Sequence, residues 1–351
     1  MRAMAVPAYG EPLIAIDAPE PEVPPGYALL EVLTCGVCFS DVKTSRGLMP
    51  FSDDLRLPHI PGHEICGRVI ATEPAGLLPE GMMGVVYHYW PCGRCSSCRR
   101  GDETLCSNLV GWVGFTHPGG FRERIAVPVD RLIPVPPTID PISAAPMSCA
   151  LGTAYRAVAV RGGVRPGMSV AIVGLGGVGI HAAQVARASG ARVVGFDLHE
   201  ATLAVAREMG LDARTGDDDA IAAAREDLAA EGLDVVVDAV GRPQTLEMAN
   251  RLVRPGGRIV GVGYGPSTNI TLPTPRVVLD ELEVVGSRFA HRGDLERAIA
   301  LVASGAVKPV VGLVRELDQV NDAFATLESG DLVGRAVLDV AGVGRSGRDH
   351  G

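Results

Sequence analysis

Apolar positions follow two rhythms along this chain, and the change between them falls near residue 165. Before it, short β-like runs are cut by Pro and Gly, the clearest being 27–33, Tyr-Ala-Leu-Leu-Glu-Val-Leu. Runs this short between chain breakers predict an irregular, mostly β domain. Residues 119–128 read as a turn followed by a strand, 131–137 continue the β-rich part, and 141–160 read as helical.

From Arg165 strands and helices alternate. Residues 169–173 predict a short apolar strand, 180–189 an amphipathic helix closed by Gly190, and 191–196 the next strand. Helices at 201–209, 218–230 and 244–253 and strands at 234–238, 258–263 and 282–286 continue the alternation, which points to about six parallel strands of doubly wound type. Helices at 294–303 and 320–327 and a strand at 334–340 follow. The tail is expected to return to the first domain, with residues 345–351 frayed. The expected division is 1–153, 154–288 and 289–351.

Composition narrows the function. The 351 residues are 47% hydrophobic and 21% charged, which suits a globular chain of two cores. A formal charge of −9, with basic runs broken by acids, argues against a nucleic-acid partner and for small-molecule chemistry. The start of the chain has no uninterrupted apolar stretch of signal-peptide kind, and the uncharged stretch 166–181 is Gly-rich and too short to cross a bilayer. A soluble protein of the reducing cytoplasm, with no membrane partner, is expected.

Two motifs carry chemistry. In the first, two residues separate Cys92, Cys95 and Cys98 and seven precede Cys106, so a lobe of about residues 88–110 offers four thiolates to a tetrahedral structural Zn²⁺. Disulfides or packed thiols are less favoured for a loop carrying Arg94, Arg99, Arg100 and Asp102. The second is the G-x-G-x-x-G turn Gly174, Gly176, Gly177, Val178, Gly179, set between strand and helix, with Asp197 18 residues beyond its last Gly. That context fits a dinucleotide: a tight turn, close backbone approach to pyrophosphate, and an acid for the ribose hydroxyls. Leu198, His199 and Glu200 supply no Arg for a 2′-phosphate, so NAD is favoured over NADP.

Cys38 and His63 are candidate ligands of a second metal, and Asp41 a candidate acceptor fixing the tautomer of a ligating imidazole. If Cys149 reaches back from the point where the chain leaves the first domain, the three make a Cys₂His set with one position open, as in a catalytic zinc site. Cys35 and Cys66 fit no ligand pattern and read as packing residues.

Cys38-Phe39-Ser40-Asp41, Gly62-His63-Glu64, the four-cysteine lobe, the stretch from Cys149 to Tyr155, Gly174 to Gly179 with Asp197, and Gly334-Arg335-Ala336 occur in one order. In these the chain resembles the zinc-dependent medium-chain alcohol dehydrogenases over essentially its whole length. The resemblance implies an α/β architecture: a GroES-like catalytic domain split in sequence around a Rossmann domain, with the active site in the cleft between them. It implies that Cys38, His63 and Cys149 hold a catalytic zinc with Glu64 close behind, that Asp41 orients His63, that Ser40 passes the substrate proton onward, and that Arg335 helps hold the pyrophosphate. The implied reaction converts alcohol and NAD⁺ to aldehyde or ketone and NADH, in a homodimer or homotetramer with two zincs per chain. A polyol or threonine-type dehydrogenase is the alternative within the family; a zinc- and nucleotide-binding protein without catalysis would need no open metal position.

Two features depart from that pattern or stand out within it. Lys43 occupies the place where many members carry the histidine that ends the proton relay. His88 and Trp90, in Tyr87-His88-Tyr89-Trp90, are expected by their place in the pattern to line the substrate pocket, where an inward His88 would suit a substrate with a polar group.

Overall fold

The computed structural model describes residues 1–265 and 268–344; the expected frayed end, 345–351, lies outside the described residues. The chain forms two compact units, one of Met1–Cys149 with the chain from Val311 onward, the other of Ala150–Val310.

The first unit opens with an antiparallel ribbon of β1 (Arg2–Ala5) and β2 (Ile14–Asp17). Its long central strand is β3 (Tyr27–Val37), followed by α1 (Phe39–Ser45), β4 (Glu64–Glu73), β5 (Met83–Val86) and β6 (Tyr89–Trp90). The cysteine lobe carries α2 (Ser96–Arg99) and is closed by β7 (Gly111–Trp112), which pairs with β6. Then come β8 (Arg124–Pro128), β9 (Leu132–Pro134) and α3 (Pro141–Ala144). β3 pairs antiparallel with β4 along most of its length and with β8 through Tyr27–Glu31. Leu30, Val32, Ile65, Phe121 and Ile125 fill the core against this sheet, each contributing about 1.5–3 kcal/mol on burial.

The single helix expected over 141–160 is broken. After α3 the chain tightens into a 3₁₀ turn, Ala145–Ser148, and resumes as α4 (Ala150–Tyr155) and a π-helical stretch, Arg156–Arg161. Pro146 has no N–H to continue the ladder, and Cys149 takes non-helical angles, φ −130° and ψ −63°.

In the second unit β10 (Ser169–Val173), α5 (Gly179–Ala188), β11 (Arg192–Phe196), α6 (Glu200–Glu208), β12 (Asp212–Arg214), α7 (Asp218–Leu228), β13 (Leu233–Asp238), α8 (Pro243–Leu252), β14 (Val253–Gly261), α9 (Thr274–Leu279), β15 (Glu283–Gly286) and α10 (Arg292–Ala303) alternate. The six strands run parallel in the order β12-β11-β10-β13-β14-β15, as the alternation predicts. The order reverses beside β10, whose C-terminal end carries the glycine turn, the place where such sheets bind ligands. The chain then re-enters the first unit as β16 (Val311–Glu316), α11 (Val320–Ser329) and β17 (Arg335–Asp339), completing a seven-stranded sheet in which β17 lies between β16 and β3.

The boundaries differ from those expected. The first crossing falls after Cys149 rather than residue 153, and the return begins at Val311 rather than 289. Residues 289–310 stay with the parallel sheet because Arg156 and Asp294, both buried, meet at 2.8 Å, and because Gln184 holds both backbone groups of Lys308. Among the described residues no helix is long and apolar enough to cross a membrane.

Gly174 has φ +83°, and a Cβ on Gly179 would lie 1.7 Å from the Gly174 carbonyl oxygen, so the turn closes only with glycine at both positions. Gly179→Ala is expected to lose about 2–3 kcal/mol of stability, measured by calorimetry; an unshifted transition would show that the turn relaxes around a methyl group.

Candidate active site and metal centres

The register of β3 and β4 sets Gly36 opposite Glu64. That pairing brings Cys38, just past the end of β3, beside His63 and Glu64 at the start of β4, and the helix break delivers Cys149 to the same place. One donor atom from each of these four residues lies within 4.8 Å of the others. The fit at Gly36 is tight: a Cβ there would stand 2.2 Å from Glu64 Oε2.

Asp41, fully buried, organises the cluster. Its Oδ2 accepts the Cys38 N–H at 2.9 Å, and its Oδ1 accepts the Gly62 N–H at 3.1 Å and His63 Nδ1–H at 2.9 Å. With the proton kept on Nδ1, Nε2 is the nitrogen left for a metal. Burial opposes a charge on His63, but Asp41's charge and hydrogen bond outweigh it and hold the imidazole well above its ordinary pKa. The hydrogen bond from Cys149 holds the Cys38 thiol well below its usual range against burial, with Arg335 assisting, and the same bond pushes Cys149 up. The two thiols thus share one proton, and a divalent ion would displace it.

Arg335, buried at the start of β17, places Nη2 2.9 Å from Glu64 Oε1 and 3.5 Å from Cys38 Sγ. The contact with Glu64 is an ion pair whose angles fall outside hydrogen-bond range, so neither Glu64 oxygen receives a hydrogen bond. Burial, opposed by Arg335, raises Glu64 to about 7. Two sulfurs and one imidazole nitrogen fit a zinc ion with a fourth position open, and the Glu64 carboxylate, which receives no hydrogen bond, stands beside them. Arg335, expected to help hold the pyrophosphate, has its guanidinium against Glu64 and Cys38.

In the cysteine lobe Cys95 Sγ lies 3.4 Å from Cys98 Sγ and 3.9 Å from Cys106 Sγ, and Cys92 Sγ 4.0 Å from Cys98 Sγ. Thiolates at 2.3 Å from a tetrahedral Zn²⁺ stand about 3.8 Å apart, so these separations suit one ion and exclude disulfides. The N–H groups of Cys92, Cys95, Cys98 and Asn108 point at the sulfurs, which favours thiolate over thiol. No position is left for substrate.

At the glycine turn, Asp197 follows β11 directly and accepts the Leu175 N–H at 2.7 Å on Oδ2 and the His199 N–H at 3.0 Å on Oδ1. The acid therefore ties down the turn. A Cβ on Gly176 would meet nothing within 4 Å, which leaves open space for a close-approaching phosphate above the start of α5.

Ser40 lies in the first turn of α1, partly exposed. Lys43, one turn later, is half-buried with Nζ 6.0 Å from the Phe39 ring centre, and burial lowers its pKa. His88 is buried with its ring centre 5.0 Å from that of His63, and Phe115 lies 4.7 Å from His63 on another side. Trp90 corrects its pocket assignment. It is buried in the β-sheet core, donates Nε1–H to the Tyr87 carbonyl at 3.1 Å, and packs on Tyr27 and His117. Sequence reasoning missed Gly36, Phe115 and the rings behind it, Phe51 and Trp112. The only signal for Gly36 is a glycine inside a strand, which marks a close approach.

Residues 24–137 match the family described as "Alcohol dehydrogenase GroES-like domain", and residues 177–304 the one described as "Zinc-binding dehydrogenase". Two alcohol dehydrogenases of Geobacillus stearothermophilus are similar over 342 and 344 residues. One is 32% identical, covering 96% of this chain and 98% of that protein; the other is 33% identical, covering 97% and 100%. A crystal structure of an NAD-dependent alcohol dehydrogenase superposes with a TM-score of 0.90 at 30% identity, covering 97% of this chain and 100% of that one. The alcohol dehydrogenase of the hyperthermophilic archaeon Aeropyrum pernix superposes with a TM-score of 0.88, also at 30% identity and with 97% and 100% coverage.

Asp41→Asn keeps the shape of the side chain but offers one acceptor oxygen for three donors. It is expected to weaken metal retention at the Cys38 cluster by about 10–100-fold, read as zinc remaining after graded chelation. Wild-type retention would show that His63 is oriented by something other than Asp41.

Proposed function

The chain belongs to the zinc-dependent medium-chain alcohol dehydrogenases, and from that premise we propose that Cys38, His63 and Cys149 form its catalytic zinc site for hydride transfer from alcohol to NAD⁺. The observation that carries this reading is the convergence of those three donors around an imidazole whose tautomer Asp41 fixes. The second zinc of the proposed pair belongs in the cysteine lobe, held by Cys92, Cys95, Cys98 and Cys106.

When bound, zinc supplies the Lewis acidity that lowers the pKa of the alcohol hydroxyl, and the nicotinamide takes up the hydride. The chain's own residues hold and move the proton. Ser40 accepts it from the substrate hydroxyl and hands it toward Lys43, whose half-buried amine has a lowered pKa and so a larger neutral fraction near neutral pH. Glu64, paired with Arg335 behind the ligands, keeps a carboxylate within reach of the metal. Asp197 accepts from the adenosine ribose and repels a 2′-phosphate, and Leu198, His199 and Glu200 offer no Arg to offset that, which supports NAD over NADP.

The ring of Phe115 beside His63, with Phe51 and Trp112 behind, favours an alcohol with an apolar substituent over a polyol, and the inward His88 suits one polar group on it. No disulfide joins the eight cysteines, all of which are among the described residues, which suits a reducing compartment such as the cytoplasm. β15 is the edge of the parallel sheet, and Val278, Leu279 and Val284 near it are exposed. An apolar edge of this kind supports pairing with a second copy, as homodimer or homotetramer.

Two zincs per chain, with NAD⁺ reduced faster by apolar alcohols than by polyols, is the expected outcome of metal analysis and a substrate panel. One zinc and no turnover would leave the lobe intact and remove the catalytic reading. Because Lys43 takes the proton only when neutral, alcohol oxidation should fall as pH drops through its pKa, and Lys43→Ala should flatten that limb. An unchanged pH–rate profile in Lys43→Ala would take Lys43 out of the relay.

A further inference from the structure

Two polar side chains of α5, His181 and Gln184, play no part in the chemistry above, yet they are 0% and 1% exposed. Buried polar groups persist where they are hydrogen-bonded, and the partners of this pair form a pattern. Gln184 meets the backbone of Lys308 twice, donating to its carbonyl at 3.0 Å and accepting its N–H at 2.8 Å. Nearly one turn back toward the start of α5, His181 Nε2 accepts the Val310 N–H at 3.0 Å, which puts the ring proton on Nδ1; that Nδ1–H donates to the Gly177 carbonyl at 2.7 Å. A single imidazole therefore connects the backbone of residues 308–310 to a carbonyl inside the glycine turn.

A trans peptide holds its C=O and the following N–H close to antiparallel. Holding the Gly177 carbonyl on the His181 ring, within the first turn of α5, turns the Val178 N–H the other way, off the helix N-terminus. That is the side on which orphan helix N–H groups meet a phosphate, next to Gly176 with its open space. Left to itself, a peptide preceded by Gly176 and Gly177 would be unusually free to rotate.

We infer that His181 is a positioning residue for the dinucleotide: it presets the peptide between Gly177 and Val178 for pyrophosphate, with the backbone of 308–310 as its anchor. The inference rests on reading the glycine turn as the pyrophosphate site, and it assigns His181 no contact with the ligand.

Calorimetric titration with ADP-ribose, which carries the pyrophosphate without the nicotinamide, tests it on the zinc-loaded protein. His181→Leu removes both hydrogen bonds and is expected to weaken ADP-ribose by about tenfold, the cost of ordering a freed peptide, and to raise KM for NAD⁺ with kcat at saturation unchanged. His181→Asn keeps a donor within reach of the carbonyl four residues back and should recover most of the affinity. If His181→Leu does not fold, His181→Ala takes its place with the same expectation. Wild-type ADP-ribose affinity in the folded Leu or Ala variant, even with a lowered melting temperature, would reduce His181 to packing and overturn the inference. Failure of the wild-type protein to bind ADP-ribose would instead overturn the pyrophosphate reading on which it rests.

Discussion

A buried carboxylate with three donors is the interaction on which the proposed metal site depends. Asp41 is 0% exposed, and an ion so placed would cost several kcal/mol without compensation. Cys38 N–H, Gly62 N–H and His63 Nδ1–H supply it, and each comes from a segment that contributes to the cluster. The same bonds therefore fix where Cys38 begins its helix, how the loop enters β4, and which nitrogen of His63 faces inward. Arg335 adds the balancing charge from a distant part of the chain, reaching Glu64 and Cys38 because β17 is paired with β3.

The parallel-sheet unit works by close backbone approach rather than by charge. Gly179 packs on the carbonyl of Gly174, Asp197 holds Leu175, and His181 holds Gly177. Each contact removes freedom from a turn whose glycines would otherwise retain it, so the proposed anion site at the start of α5 is shaped before any ligand arrives. The proposed metal site is likewise arranged in advance, with donors close enough that two thiols share a proton.

Local spacing was the legible part of the sequence. The cysteine lobe, the glycine turn with Asp197 and the alternation of parallel strands are written in separations of a few residues, and each appears in the structure. What was hidden depends on register between distant segments. Gly36 matters only because it pairs with Glu64, and Arg335 reaches the cluster only through the pairing of Ala336 with Val37. The break at Cys149 was masked by helix-forming neighbours, although Pro146 was a signal for it. Trp90 alternates along an aromatic run whose inward face periodicity alone does not name, and the late domain return follows from the Arg156–Asp294 pair, 138 residues apart.

The central claim is an open metal site built from Cys38, His63 and Cys149. Anomalous diffraction at the zinc edge from crystals of the zinc-loaded protein tests it most directly. Two peaks are expected, one among the four lobe sulfurs and one at about 2.0–2.3 Å from Cys38 Sγ, His63 Nε2 and Cys149 Sγ. A lobe peak alone, or a second peak bound through His63 Nδ1 with Asp41 displaced, would contradict it.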